Sequence, residues 1–144
     1  MGFLDTKWEN PDKVPQKIVD YVKKMLTIDQ TDLTTDLIKV LHYDAQIIKH
    51  IYELDIEIKK ADIELKNVTN QAIKYYNFDI KRKLTSAQIQ MAMKNDIDIA
   101  EVELKINILN TKLIYFESVQ RGLKQKSWNM KSIVEWETYT QGNR

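Results

Sequence analysis

Positions 33, 37, 40, 44, 47, 51, 54, 58, 61, 65, 68, 72 and 75 are spaced alternately four and three residues apart, and twelve of the thirteen are apolar. A strand turns alternate residues to opposite faces, so only a helix keeps a stripe of this spacing on one side. The spacing predicts one long helix over about 35–77, with Thr34 or Thr35 as its cap and Asp36 at its positive end. Within it, "DIEIKKADIELK" (residues 55–66) alternates apolar and charged and would alone suit a half-buried strand. The unbroken seam on both sides overrules that reading. Asp44 is the one charge on the seam. It is expected near an end of the packed region, bonded to a lysine or a backbone donor, or at a place where the stripe opens.

The flanking sequence fits the same plan. Pro11 and Pro15 bracket the start of a short helix over about 15–26, and "TIDQTDLTT" (27–35) reads as a connection. Beyond a turn at 78–85, Thr85 with Gln88 has the spacing of a capping box for a short helix over 86–94. Asp96 offers a fresh cap, after which Ile99, Val102, Ile106, Leu109, Leu113 and Phe116 resume the four–three spacing. Leu104, Ile108, Tyr115 and Val119 lie alongside. Gly122 is expected to allow a bend, and a last amphipathic helix to run to Gly142. Three glycines and two prolines in 144 residues are too few for the turns of a sheet-rich domain.

The fold class is therefore all-α: a long antiparallel helical hairpin with short flanking helices and an amphipathic C-terminal helix. Residues 1–34 form an N-terminal segment, and 35–142 a single domain. Such a hairpin is thin and leaves apolar surface on both long helices, which favours self-association into a homo-oligomer. Trp128, Met130, Ile133, Val134, Trp136 and Tyr139 are too many large apolar groups for an exposed tail. They should pack on the hairpin or on a neighbouring subunit, and are assigned to the contact between subunits.

Several functions are disfavoured. Without cysteine there is neither a disulfide nor a thiolate metal site. His42 and His50, two helical turns apart, lack a convincing third ligand, so no metal and no cofactor is expected. The chain has no phosphate-cradling GxxxxGK[ST], no HExxH and no plausible Ser-His-Asp order, and is not expected to be an enzyme. No apolar run approaches a membrane span, and "MGFLDTKWENPDK" lacks the core of a secretory signal, so a cytoplasmic location without membrane contact is expected.

Charge is distributed unevenly. Residues 1–80 carry 11 basic and 14 acidic side chains, and residues 81–144 carry 11 basic and 7 acidic. A polyanion should therefore meet the second half. Two basic patches stand out there: Lys81, Arg82 and Lys83, which follow the aromatics of "AIKYYNFDIKRKL" (72–84), and Arg121, Lys124, Lys126 and Lys131. Bases of single-stranded nucleic acid stack on aromatic rings while Lys and Arg neutralise phosphates. Tyr76 and Phe78 are candidate stacking residues, whereas Tyr75 lies on the seam and is core by position.

The order of these elements carries a resemblance over about residues 35–142. A long helix ends in "NQAIKYYNF", followed by "LTSAQIQMAM", an "NDIDI" restart, a second long helix and "RGLKQKSWNMKSIVEWETYTQG". This resembles the UvsY family of recombination mediators of T4-like bacteriophages. Its most specific parts are Tyr75-Tyr76 and the tail framework Met130, Lys131, Ile133, Trp136, Tyr139 and Gly142.

The resemblance implies a ring of six to eight subunits, with a heptamer favoured, that binds single-stranded DNA and has no catalytic activity. It also implies partners, a phage strand-exchange recombinase and the single-stranded-DNA-binding protein it displaces, met in the cytoplasm of the infected host. In the family pattern a Lys and an Arg, three to six positions before the second tyrosine, contact DNA. Asn70 and Ala72 stand there in this chain, with Lys66 and Lys74 close by and Lys81–Lys83 beyond. Two rival readings are a helical scaffold protein with no nucleic-acid role and a coiled-coil adaptor for another protein.

Overall fold

The computed structural model describes residues 2–79 and 83–142. After a short 3-10 turn at Gly2–Asp5 come four helices: α1 (Gln16–Leu26), α2 (Leu33–Lys74), α3 (Ser86–Lys94) and α4 (Ile97–Gly142). A π-helical turn, Tyr75–Asp79, ends α2. The pairing of Asp36 with Lys126 and of Glu64 with Lys105 makes α2 and α4 antiparallel. Among the described residues every regular element is helical, including the alternating 55–66 stretch.

Local chemistry sets the boundaries. The Pro15 carbonyl accepts from the amides of Ile18 (3.0 Å) and Val19 (3.2 Å), so α1 begins where the ring has fixed the backbone. The cap of α2 is Asp32 rather than Thr34 or Thr35: its carboxylate accepts from the Thr35 amide (3.1 Å) and the Thr35 hydroxyl (2.7 Å). A carboxylate can accept both bonds while Thr35 acts as donor, which moves the start two or three residues upstream. The Thr85–Gln88 capping box is present with both reciprocal bonds. Asp96 caps α4 by accepting from the amides of Asp98 (2.9 Å) and Ile99 (3.2 Å).

The hairpin has a thick end and a thin one. At the thick end α1 joins α2 and α4, and Ile18, Met25, Val40, Ile47, Phe116, Leu123 and Met130 are wholly or almost wholly buried. Trp8 closes this core from the side, edge-on to Tyr115 with ring centroids 5.8 Å apart. Toward the tip, where α2 faces α4 without α1, the buried α2 residues include Ala61 and Ala72. Small side chains there let the two backbones approach.

Four expectations are corrected. Gly122 makes no bend, because α4 is one helix of 46 residues. The glycine instead admits α1: a Cβ at that position would lie 3.0 Å from Leu26 Cδ2. Met130, assigned to a subunit contact, is buried in the core of its own chain. Leu37 is exposed although it lies on the seam, since α1 draws the buried face round toward Asp36. Tyr75, expected in the core, is 49% exposed: it stands at the end of the seam, where α4 begins only at Ile97, and borders an open cleft with Asp98, Glu101 and Val102.

Apolar surface remains, as the sequence suggested. Leu37, Leu41, Ile48 and Tyr52 form a second, exposed stripe along α2. Residues 131–142 of α4 carry no fully buried side chain and extend the helix by about 18 Å.

Candidate nucleic-acid interface

Lys126 belongs to the core and not to a DNA surface. Its ammonium donates to Asp36 Oδ1 (2.9 Å) and to the Met25 carbonyl (2.8 Å), which ties α4 to α2 and to the end of α1. The Asp29 amide donates to Asp36 Oδ2 at 2.7 Å, so the connection before α2 joins the same cluster. Both charged side chains are almost wholly out of water, and Lys126 leaves the candidate patch for that reason. A signal was available in the sequence: Lys126 is in phase with Val119, Leu123 and Met130, all buried.

The remaining basic residues of that segment stay together. Arg121, Lys124 and Lys131 are exposed on the side of α4 turned away from Leu123 and Met130. Trp128 lies among them and is 65% exposed, with Lys131 Nζ 6.0 Å from its ring centroid. Arg121 Nη2 donates to Ser118 Oγ at 2.9 Å, which steadies the guanidinium without neutralising it. No acidic residue occurs from Ser118 to Val134. Val134, Trp136 and Tyr139 are exposed further along, Ile133 is half-buried, and the Trp136 and Tyr139 rings lie 6.0 Å apart.

The hairpin tip presents a mixed surface. Tyr75 and Tyr76 meet edge to face at 5.1 Å, and the Tyr76 hydroxyl donates to Asp96 Oδ2 at 3.2 Å. Desolvation and then the bond to Asp96 raise the Tyr76 phenol above its ordinary pKa. The tyrosines border a cleft of about 520 Å³ that is also lined by Glu64, Asp96, Asp98 and Glu101. Four carboxylates make this cleft unfavourable for phosphate.

The basic side chains near the tip lie elsewhere: Lys66, Lys74 and Lys83 are exposed, as is Phe78. Lys81 and Arg82 lie outside the described residues. Of the two positions that the resemblance sets against a Lys and an Arg, Asn70 is exposed, whereas Ala72 is buried in the seam. A cation at position 72 would be drawn into the packing of this hairpin.

The histidines do not converge on one site. His42 is exposed and lies 3.3 Å from Gln46 Nε2. His50 is buried edge-on against Phe116 at 4.7 Å, its Nε2 has no partner among the described residues, and burial pushes its pKa down. Among the described residues no three His, Cys, Asp or Glu side chains are grouped to hold a metal ion, and no helix is long and apolar enough to cross a membrane. Asp44 is half-buried, and its Oδ1 has no hydrogen-bond partner among the described residues. It borders a small groove with Leu41, Leu123 and Ser127, where the stripe opens.

Comparison with curated protein sequences gave no match. Three crystal forms of the bacteriophage T4 recombination mediator protein UvsY are similar in structure. The first has a TM-score of 0.76 at 14% identity and covers 89% of this chain and 99% of the T4 protein. The second has 0.76 at 13%, covering 90% and 98%, and the third 0.74 at 13%, covering 85% and 98%. At this identity the likeness establishes the all-α hairpin fold. The family model described as "Recombination, repair and ssDNA binding protein UvsY" matches residues 21–143. A chain matched over so much of its length is a member: this protein belongs to the UvsY family.

Proposed function

We propose that this protein is a non-catalytic recombination mediator. It binds single-stranded DNA and helps a strand-exchange recombinase replace the single-stranded-DNA-binding protein, in the cytoplasm of a phage-infected host. The observation that carries the reading is the exposed, acid-free stripe Arg121, Lys124 and Lys131 on α4. Lys66, Lys74 and Lys83 supply a second phosphate-binding region at the end of the hairpin that holds the acidic cleft, and Lys81 and Arg82 are assigned to it by sequence.

The working form is a ring of six to eight copies, with seven favoured. Val134, Trp136 and Tyr139 of one copy, with Ile133, cover the exposed stripe of α2 on the next. Residues 1–34 steady the thick end, and 35–142 carry both DNA binding and assembly. Repetition supports the reading, because three cations per subunit become around twenty in a ring of seven, and many weak phosphate contacts then act together.

Fluorescence anisotropy with a labelled oligonucleotide tests it. Binding should be indifferent to sequence, favour single strands over duplex and weaken steeply with salt. The acidic cleft at the tip favours a second reading, a helical scaffold with no nucleic-acid role. Absence of single-strand preference at low salt would overturn the mediator reading, and absence of any DNA binding would leave the scaffold in its place.

A further inference from the structure

Trp128 is a large indole left in water at the centre of a basic surface. The steps from Arg121 to Lys124, Trp128 and Lys131 are three, four and three residues, so the four side chains follow one face of α4 over about 15 Å. The buried side of the helix at this level is made by Leu123, Lys126 and Met130, so its own core has no place for Trp128. The tail's apolar group, Val134, Trp136 and Tyr139, lies beyond the stripe and is not interleaved with cations. Glu117 and Glu135 are the nearest acids along the chain on either side, and Asp44 of α2, half-buried, borders the groove that Lys124 also lines.

Charge complementarity selects a polyanion for this face, and the indole selects one whose units offer flat π-surfaces. In a duplex those surfaces are already stacked on one another, which leaves the single strand. We propose that Trp128 is a base-stacking platform for single-stranded DNA, flanked by Lys124 and Lys131 as phosphate contacts, with Arg121 extending the track. The inference rests on the DNA-binding reading and adds to it the residue that distinguishes a strand bearing bases from a bare polyanion.

The test uses the full-length protein with two labelled probes of equal length, oligodeoxythymidylate and an abasic strand with the same phosphates. The wild type should bind the thymidylate strand about tenfold or more tightly than the abasic one. Trp128→Leu should lower thymidylate affinity about tenfold while moving abasic affinity less than about twofold. Trp128→Phe keeps a π-face and should retain most of the margin, and light scattering should give all three proteins the same mass. Equal wild-type affinity for the two probes, or an undiminished margin in Trp128→Leu, overturns the stacking role but leaves DNA binding intact. A changed mass for Trp128→Leu overturns it too, by making Trp128 a subunit contact. Failure of the wild type to bind either probe at low salt overturns the DNA-binding reading and the inference together.

Discussion

Lys126 and Asp36, ninety residues apart in sequence, meet at 2.9 Å between Nζ and Oδ1 with both side chains almost wholly buried. The same ammonium serves the Met25 carbonyl, so one side chain pins three helices at the thick end. A buried pair of this kind is weak evidence for net stability, because the desolvation of both ions opposes their attraction. Its removal is asymmetric. Lys126→Ala leaves Asp36 buried without its cation and should cost about 3–5 kcal/mol. The double variant Lys126→Met with Asp36→Leu should recover much of that loss. Urea unfolding of both variants checks this, and equal losses would mean that the charges themselves stabilise the fold.

Asp44 presents the contrasting case of a carboxylate oxygen out of water without a donor among the described residues. An unsatisfied buried acceptor costs about 1–3 kcal/mol. Replacing Asp44 by Leu should therefore leave the melting temperature unchanged or raise it. A marked drop in calorimetry would reveal an essential partner in the assembled protein.

At Gly122 two effects oppose each other. Alanine in place of glycine inside a helix gains about 0.5–1 kcal/mol, yet its Cβ would meet the end of the Leu26 side chain at 3.0 Å. Leu26 can turn aside, so Gly122→Ala should stay within about 1 kcal/mol of the wild type. Gly122→Ile cannot be accommodated in that way and should cost about 1–3 kcal/mol as α1 is pushed off α4. Chemical denaturation of the pair distinguishes close packing from mere flexibility at this position.

His50 gives the stability a pH dependence. Burial lowers its folded-state pKa, opposed in part by Glu53 and more weakly by Asp5 and Glu57, while Lys112 lowers it further. The unfolded chain, with an ordinary imidazole near about 6.5, binds the proton first. Stability should therefore be full above about pH 7.5 and fall as the pH drops through 6.5 toward the folded value. His50→Gln should flatten that fall between about pH 7.5 and 5, as measured by thermal melts in matched buffers.

The two basic regions should differ in weight. Changing Arg121, Lys124 and Lys131 together to alanine should weaken single-strand binding and flatten its salt dependence, by roughly 0.7 in slope for each phosphate no longer neutralised. Changing Lys66, Lys74 and Lys83 should have the smaller effect, because the acidic cleft lies beside that end of the hairpin. Anisotropy titrations at three salt concentrations rank them, and the reverse order would place the main DNA-binding surface at the tip.

The long helices, the Thr85–Gln88 box and the Asp96 cap were legible in sequence, because each depends on neighbours within one or two turns. The lateral packing of α1 was not. It moves the buried face of α4 toward Val119 and Lys126, turns Gly122 from a bend into a point of close approach and exposes Leu37. Spacing alone gives two helices a common stripe but does not say on which flank a third will lie. Lys126 shows the same limit at the candidate site: a lysine in a basic run is read as solvated unless its phase with the buried stripe is also weighed. Tyr75 was misplaced because it stands at the end of the seam, beside an open cleft.

The contrast between a thick end built on Phe116, Ile47 and Met130 and a thin end built on Ala61 and Ala72 has a kinetic consequence. Amide protons near the tip are guarded by few apolar neighbours and should exchange through local opening, whereas those around Leu123 should exchange only when the whole chain unfolds. A strand held along α4 between Arg121 and Lys131 would therefore rest on the slowest-exchanging part of the molecule, and one held at Tyr75–Phe78 on a part that opens and recloses many times during a single binding event.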